Sequence, residues 1–298
     1  MRSFQFAALA FLCFTPALAD PLISPLATAR PVVAKHGMIV SQEAAASRVG
    51  LDILKRGGNA VDAAVAVGFA LAVTMPRAGN LGGGGFMLIY RANLNQTIAI
   101  DYRETAPAAT TKDVFLDANG KADPFKSRYS GLAIGVPGTV AGLELAWRKY
   151  GSGKFSFADL IAPAIALARQ GLTVDDDVAD SLPLAAKTLA RHPASARIYL
   201  RPDGSVPETG DHVALDDLTA TLEAIALNGV GGFYSGPVAQ KIVEAVNAAG
   251  GRMTIEDLAS YHAVERQPVS GTYRGYTVVS MPPPSSGVLP PGTCFPIA

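Results

Sequence analysis

The stretch Ala78-Gly-Asn-Leu-Gly-Gly-Gly-Gly-Phe-Met-Leu-Ile-Tyr90, followed by Ile100-Asp-Tyr-Arg-Glu-Thr-Ala-Pro107, decides how this chain is understood. Four consecutive glycines lead directly into an apolar run that is typical of a β-strand. A second strand-like run then ends on Arg103, with an acidic residue close to it on each side. Glycine lets a backbone approach another group closely, and an arginine fork can grip a carboxylate through two hydrogen bonds.

The glycine run Gly82–Gly85 does not fit a phosphate-binding loop. A Walker loop ends in Gly-Lys-Ser/Thr, and a dinucleotide loop follows a strand and opens a helix. Here the glycines precede a strand and no lysine follows them. Two interpretations remain open, which are close packing of backbone against backbone and direct contact with a ligand.

Arg103 also has two interpretations. Asp101 and Glu104 could hold its guanidinium plane in a fixed orientation, and residue chemistry alone then favours an ordinary salt bridge. The other interpretation is a binding site in which the guanidinium receives the carboxylate of a ligand.

Composition limits the function classes. The chain has 298 residues with 25 basic and 25 acidic side chains, and therefore no electrostatic footprint for nucleic acid. Its length suffices for one large core or two ordinary ones. Charged residues make up only 17% of the chain and the mean hydropathy is +0.25. This composition suits a helix-rich protein, and one whose apolar surface is covered by a partner.

The N-terminus has the pattern of a signal peptide, residues 1–19. Arg2 precedes an apolar run, and Ala17-Leu-Ala19 is a small-x-small cleavage site before Asp20. Residues 20–35 are expected to form an extended leader. The apolar run is too short to span a bilayer, and no later segment is long and apolar enough to do so. The mature chain is therefore expected to be periplasmic or secreted, without a membrane anchor.

Cysteine count predicts no internal disulfide in the mature chain. Cys13 lies within the signal peptide, and after cleavage only Cys294 remains.

Periodicity predicts helices with strands at both ends of the readable region, which favours an α+β class. Ser41, Asn59, Ser156, Thr173, Ser235 and Thr254 are predicted to cap helices. The predicted helices run to 55, from 59 to Pro76, and over 139–150, 157–170, 174–191, 216–228, 237–249 and 255–261. The predicted strands are 86–91, 97–103, 264–273 and 276–281.

Other catalytic patterns do not support a site. His36, His192, His212 and His262 lack the spacing of metal ligands, so neither a metal site nor another cofactor is predicted. No Gly-x-Ser-x-Gly motif occurs. The pair Thr110-Thr111 is interpreted as a helix cap ahead of Asp113 rather than a nucleophile.

The glycine run and the Asp101-Tyr-Arg-Glu104 segment resemble the large-subunit signature of the γ-glutamyltranspeptidases, which are relatives of the cephalosporin acylases among the N-terminal nucleophile hydrolases. The resemblance runs from about residue 36 to 287. It implies the large-subunit part of an αββα sandwich whose central sheets are shared between two subunits. It also implies γ-glutamyl substrates such as glutathione, with Arg103 binding the α-carboxylate of the donor.

The same resemblance implies that the nucleophile is an N-terminal threonine freed by self-cleavage, on a small subunit downstream of Met281-Pro-Pro-Pro-Ser-Ser-Gly287. Residues 288–298 show no periodicity and diverge from the family, so this chain is expected to be a truncated form that contains no catalytic residue and is inactive alone. Three interpretations remain, namely a γ-glutamyltransferase or glutathione hydrolase portion, a cephalosporin-acylase-like amidohydrolase fragment, and a non-catalytic periplasmic binding protein.

Overall fold

The structure is a computed structural model that describes residues 31–287. The predicted signal peptide, the first part of the predicted leader and the divergent tail 288–298 lie outside the described residues. Residues from Met38 onward form one contact unit, and the elements below belong to it.

The described residues contain eleven helices, two short 3-10 turns and seven strands. Helices α1 to α11 span Ala44–Lys55, Ala60–Thr74, Pro124–Tyr129, Thr139–Tyr150, Phe157–Gln170, Asp176–Leu189, Pro193–Tyr199, Asp216–Asn228, Gly231–Tyr234, Gly236–Ala248 and Ile255–Ala259. Strands β1 to β7 span Phe86–Arg91, Gln96–Asp101, Leu172–Thr173, His212–Val213, Val264–Arg266, Val269–Tyr273 and Tyr276–Ser280. The 3-10 turns are Ala92–Leu94, between β1 and β2, and Gly131–Ala133.

Helix α2 lies at the centre of the core, as its apolar sequence predicts. It packs against α1, α4 and α5, and Val65 and Phe69 are fully buried. The Phe69 ring meets Phe157 of α5 edge to face with centroids 5.5 Å apart. The Asn59 side chain caps the helix and the Asp62 carboxylate accepts a hydrogen bond from the Asn59 N–H, so the predicted cap is confirmed and is a full capping box.

One sheet brings together strands that lie far apart in the sequence. Strand β2 lies between β1 and β5, and both pairings are antiparallel. In this register Asp101 at the end of β2 lies opposite Val264 of β5. The α+β prediction is confirmed, although α1 and α2 precede β1 and α3 to α11 lie between β2 and β5 in sequence. Within the described residues β1 and β5 each have one unpaired edge.

Several predicted caps and boundaries are wrong. The carboxylate of Glu43, not the Ser41 side chain, caps α1, because its two oxygens accept from the N–H groups of Ala45 and Ala46 at 2.8 Å each. Asp175 rather than Thr173 caps α6, since Thr173 pairs with His212 in the β3–β4 ladder. At α10 the Ser235 hydroxyl donates back to the Gly231 carbonyl and leaves the helix without a side-chain cap.

The predicted strand 264–273 is two strands in different sheets. It breaks near Pro268, which lacks the N–H needed to continue a ladder. Three short helices, α3, α7 and α9, are not predicted by the sequence pattern. Helices this short have too few turns to show an apolar period, although Pro124 and Pro193 mark two of their starts. No helix within 31–287 combines the length and apolar character needed to cross a bilayer.

Candidate functional site

The glycine run lies against the segment that carries Arg103. Gly85 and Tyr102 exchange two backbone hydrogen bonds of 3.2 and 3.0 Å. A side chain at Gly84 would overlap the Tyr102 carbonyl oxygen and would lie 2.8 Å from the Glu104 nitrogen. Backbone-to-backbone packing therefore requires glycine at this position, and that interpretation is confirmed for Gly84.

The start of α4 completes this packing. The Gly83 carbonyl accepts hydrogen bonds from the N–H groups of Gly138 at 2.7 Å and Thr139 at 3.1 Å. Both are among the helix N–H groups that have no intrahelical partner. Within α4, Gly142 leaves room for the ring of Tyr102. The glycine run, the end of β2 and the start of α4 thus form one frame beneath Arg103.

Arg103 is exposed and lies just beyond β2. The predicted strand ends on this arginine, whereas β2 ends two residues earlier, at Asp101. The Arg103 N–H donates to Oδ1 of Asp101 at 3.0 Å, and its carbonyl accepts from the Tyr261 hydroxyl at 2.8 Å. Both polar groups of its backbone are therefore held by side chains.

The guanidinium of Arg103 is not held as the sequence analysis expected. Oδ2 of Asp101 accepts instead from Nε of Arg266 at 2.7 Å, and Glu104 does not pair with Arg103 in the described part of the chain. Nη1 of Arg103 donates to the carbonyl of Pro284 at 3.3 Å. The remaining guanidinium N–H groups have no protein acceptor among residues 31–287, which leaves them available to a carboxylate.

The proline-serine loop 282–287 therefore lies beside Arg103, although 181 residues separate Pro284 from it in sequence. The loop closes on itself through a 3.0 Å hydrogen bond from the Ser285 N–H to the Pro282 carbonyl. In the sequence this motif is recognisable only as a family marker. No local pattern could have shown the contact, because it depends on how β5 to β7 bring the chain back.

Tyr261 and Tyr234 are functional candidates that the sequence analysis missed. Burial, with a smaller contribution from the Asp101 and Glu104 carboxylates, raises the pKa of Tyr261 above its ordinary value. The hydroxyl is therefore a stable proton donor to the Arg103 carbonyl at neutral pH. The Tyr261 ring stacks on Tyr234 at 5.8 Å with an interplanar angle of 10°.

The remaining sequence candidates do not join this site. All four histidines are exposed. Within the described residues no group of three or more His, Cys, Asp and Glu could hold a metal ion. Thr110 and Thr111 do not cap a helix, because the chain there makes only turns, including one closed from the Val114 N–H to the Thr111 carbonyl at 3.2 Å. A cleft of about 870 Å³ is lined by parts of α7 and α8 and by Asn80, but not by Arg103.

Comparison with known proteins places this geometry in a family. The family described as Gamma-glutamyltranspeptidase matches residues 46–291. The chain is 51% identical over 282 residues to the glutathione hydrolase proenzyme of Escherichia coli K12, which covers 92% of this chain and 48% of that protein. It is 43% identical over 256 residues to the glutathione hydrolase proenzyme of Bacillus subtilis strain 168, and this match covers 86% of this chain and 43% of that protein. The chain thus spans a little under half the length of these curated relatives.

Solved structures agree with this match. The gamma-glutamyltranspeptidase of Helicobacter pylori superposes with a TM-score of 0.83 at 44% identity, covering 87% of this chain and 73% of that one. A cephalosporin acylase from Bacillus halodurans gives a TM-score of 0.75 at 30% identity, covering 89% and 49%. The expected fold of the N-terminal nucleophile hydrolase type is confirmed by these neighbours. Since the family match extends over most of the sequence, this chain belongs to the gamma-glutamyltranspeptidase family.

Proposed function

We propose that this chain is the large-subunit portion of an exported γ-glutamyltransferase or glutathione hydrolase, and that Arg103 binds the α-carboxylate of the γ-glutamyl donor. The observation that carries the proposal is the partly unpaired guanidinium of Arg103 on a fixed backbone. Its backbone N–H is held by Asp101 and its carbonyl by Tyr261. The relatives named glutathione hydrolase supply the substrate class.

The chemistry of this role is substrate positioning. A guanidinium fork matches a carboxylate bidentately and so fixes both the distance and the rotation of the donor. Holding the donor by its α-carboxylate places its γ-amide at a constant distance from Arg103, where a nucleophile can meet it. The resemblance assigns that nucleophile to a threonine of the small subunit, which we propose as the partner of this chain.

A cephalosporin-acylase-like activity is the second candidate, and it is supported by the Bacillus halodurans neighbour. The two activities differ in the donor rather than in the frame beneath Arg103. Higher identity to the Escherichia coli and Helicobacter pylori proteins, at 51% and 44% against 30%, favours the γ-glutamyl substrate.

The export part of the proposal rests on the sequence of residues 1–19, which lie outside the described structure. Their apolar run and the small-x-small site before Asp20 support translocation and cleavage. This pattern supports a periplasmic or secreted location.

The test uses the complete enzyme that contains this chain and two γ-glutamyl donors, one with a free α-carboxylate and one with an α-carboxamide. Arg103→Ala should lower kcat/KM for the carboxylate donor, by an amount that corresponds to a loss of roughly 2–5 kcal/mol in transition-state stabilisation. It should hardly change kcat/KM for the carboxamide donor. Arg103→Lys should recover only part of the loss, because an ammonium cannot reproduce the fork. The control is Arg169→Ala, which removes an exposed arginine paired with Glu223 on the surface.

Equal losses with both donors, or kinetics that match those of the Arg169→Ala control, would contradict the role of Arg103. Turnover of a cephalosporin side-chain amide in preference to γ-glutamyl donors would favour the acylase instead.

A further inference from the structure

Arg103 and Glu104 lie in a gap between two stretches of backbone pairing. Before them, Tyr102 pairs with Gly85, and after them Thr105 pairs with Val136 through hydrogen bonds of 3.3 and 2.7 Å. Among residues 31–287, no ladder hydrogen bond holds the backbone N–H or carbonyl of Arg103. Its orientation depends on the two side-chain contacts, from Asp101 to its N–H and from Tyr261 to its carbonyl.

The ring of Tyr261 is held in place by its packing against Tyr234. Its ring stacks on Tyr234, which is buried, and the Tyr234 hydroxyl donates to the Pro137 carbonyl at 2.9 Å and accepts from the Ala141 N–H at 3.3 Å. Pro137 and Ala141 flank the start of α4. Gly138 is required between them, because a side chain there would overlap the Tyr261 hydroxyl and the Tyr102 carbonyl.

The two tyrosines therefore connect the start of α4 to the carbonyl of Arg103 through a stack and a hydrogen bond. A phenol fixed by stacking loses little further rotational freedom when it donates, so its hydrogen bond restrains the acceptor effectively. Rotation of the Arg103 peptide would swing the base of the side chain and move the guanidinium away from its position beside Pro284.

We propose that Tyr261 is a positioning residue for donor recognition, which holds the carbonyl of Arg103 so that the guanidinium meets the donor carboxylate in one orientation. The inference rests on the proposed function of Arg103. Tyr261 acts through Arg103 and does not itself contact the substrate.

The decisive variant is Tyr261→Phe in the complete enzyme, since it keeps the ring and the stack on Tyr234 and removes only the hydroxyl. The matched control is Tyr90→Phe, which removes an exposed tyrosine hydroxyl that donates to Oδ1 of Asn95 at 3.0 Å. We expect Tyr261→Phe to raise KM for a γ-glutamyl donor about three- to tenfold with kcat nearly constant, which is the scale of one hydrogen bond. Tyr90→Phe should change neither constant.

A purely structural role would lower stability without discriminating between donors. Two further measurements therefore distinguish a positioning role from a purely structural one. The α-carboxamide donor should be insensitive to Tyr261→Phe, and the effect on the carboxylate donor should largely vanish in an Arg103→Ala background, because the two side chains act as one unit.

The outcomes separate this inference from the function on which it rests. If Arg103→Ala impairs the carboxylate donor while Tyr261→Phe leaves its KM unchanged, the positioning inference is wrong and the proposed function stands. Additive effects of the two substitutions, or equal effects on both donors, also overturn the positioning role. An enzyme without γ-glutamyl turnover overturns both proposals.

Discussion

Asp101 and Arg266 are joined by a 2.7 Å hydrogen bond from Nε to Oδ2 across the pairing of β2 with β5, although 165 residues separate them in sequence. The Asp101 side chain is only 8% exposed, whereas that of Arg266 is 40% exposed. The ion pair neutralises a buried carboxylate whose other oxygen accepts from the N–H of Arg103. One acidic side chain thus links the sheet to the candidate substrate-binding arginine.

Loss of Arg266 should therefore destabilise the fold. Arg266→Ala leaves the Asp101 carboxylate buried with one oxygen lacking a charged partner, and we expect a loss of about 1–3 kcal/mol in the free energy of unfolding, less than for a fully buried pair because water reaches Arg266. Chemical denaturation measures it. The control Arg148→Ala, which breaks an exposed pair with Glu144 in α4, should cost less than about 0.5 kcal/mol. Equal losses from the two variants would show that the Asp101 pair has no special weight.

The close packing of the glycine run can be tested by comparing two of its four glycines, Gly84 and Gly82. Gly84→Ala places a methyl group against the backbone of Tyr102 to Glu104, so we expect a loss of roughly 1–3 kcal/mol in the free energy of unfolding. Gly82→Ala is the matched control, because a side chain there meets no atom within 4 Å and should be nearly neutral. Thermal and denaturant unfolding of both variants would compare them. A stable Gly84→Ala variant would contradict the close packing.

The contact between α4 and β5 predicts a dependence of stability on acid pH. The hydroxyl of Tyr150 donates to Oε1 of Glu265 at 2.7 Å, and this bond together with Lys149 lowers the pKa of Glu265 below its ordinary value of 4.5. A lowered pKa in the folded state gives a stabilisation that is present above about pH 4.5 and lost as the pH falls through the folded value. Glu265→Gln should flatten the acid limb of a stability-pH curve, whereas Glu244→Gln, an exposed carboxylate on α10, should not.

The hydrogen bond between Tyr150 and Glu265 also predicts that stability falls at alkaline pH. Burial, together with the neighbouring Glu265, raises the pKa of Tyr150 to about 12. The neutral phenol is favoured in the folded state, so its contribution is present below about pH 10 and declines as the pH rises toward 12. Tyr150→Phe should weaken the acid and alkaline limbs together. Unfolding curves that keep both limbs in this variant would show that the hydrogen bond does not govern them.

Processing of the N-terminus can be tested directly. Pro16 and the small residues Ala17 and Ala19 predict cleavage between Ala19 and Asp20. Mass spectrometry of the exported chain should therefore find Asp20 as the first residue. A mature chain that begins elsewhere, or retention of Met1, would contradict the predicted cleavage.

Sequence alone determined the elements whose signals are local. The Asn59 cap, the helix that ends before Pro76, and the two strands that form β1 and β2 each follow from residues a few positions apart. Arg103 was also found from its own segment, because the family signature is contiguous there. Such signals are legible because propensity, capping and apolar period act over one or two turns of chain.

Tertiary structure decided how Arg103 is held. The sequence predicted that its acidic neighbours Asp101 and Glu104 would hold the guanidinium. In the structure Asp101 instead pairs with Arg266, and the guanidinium of Arg103 donates to the carbonyl of Pro284. The carbonyl partner, Tyr261, is 158 residues away. A carboxylate binds whichever cation the folded chain places against it, and that choice depends on the pairing of β2 with β5 and on the packing of α4. These long-range contacts have no local pattern, because they arise only when distant segments are buried together.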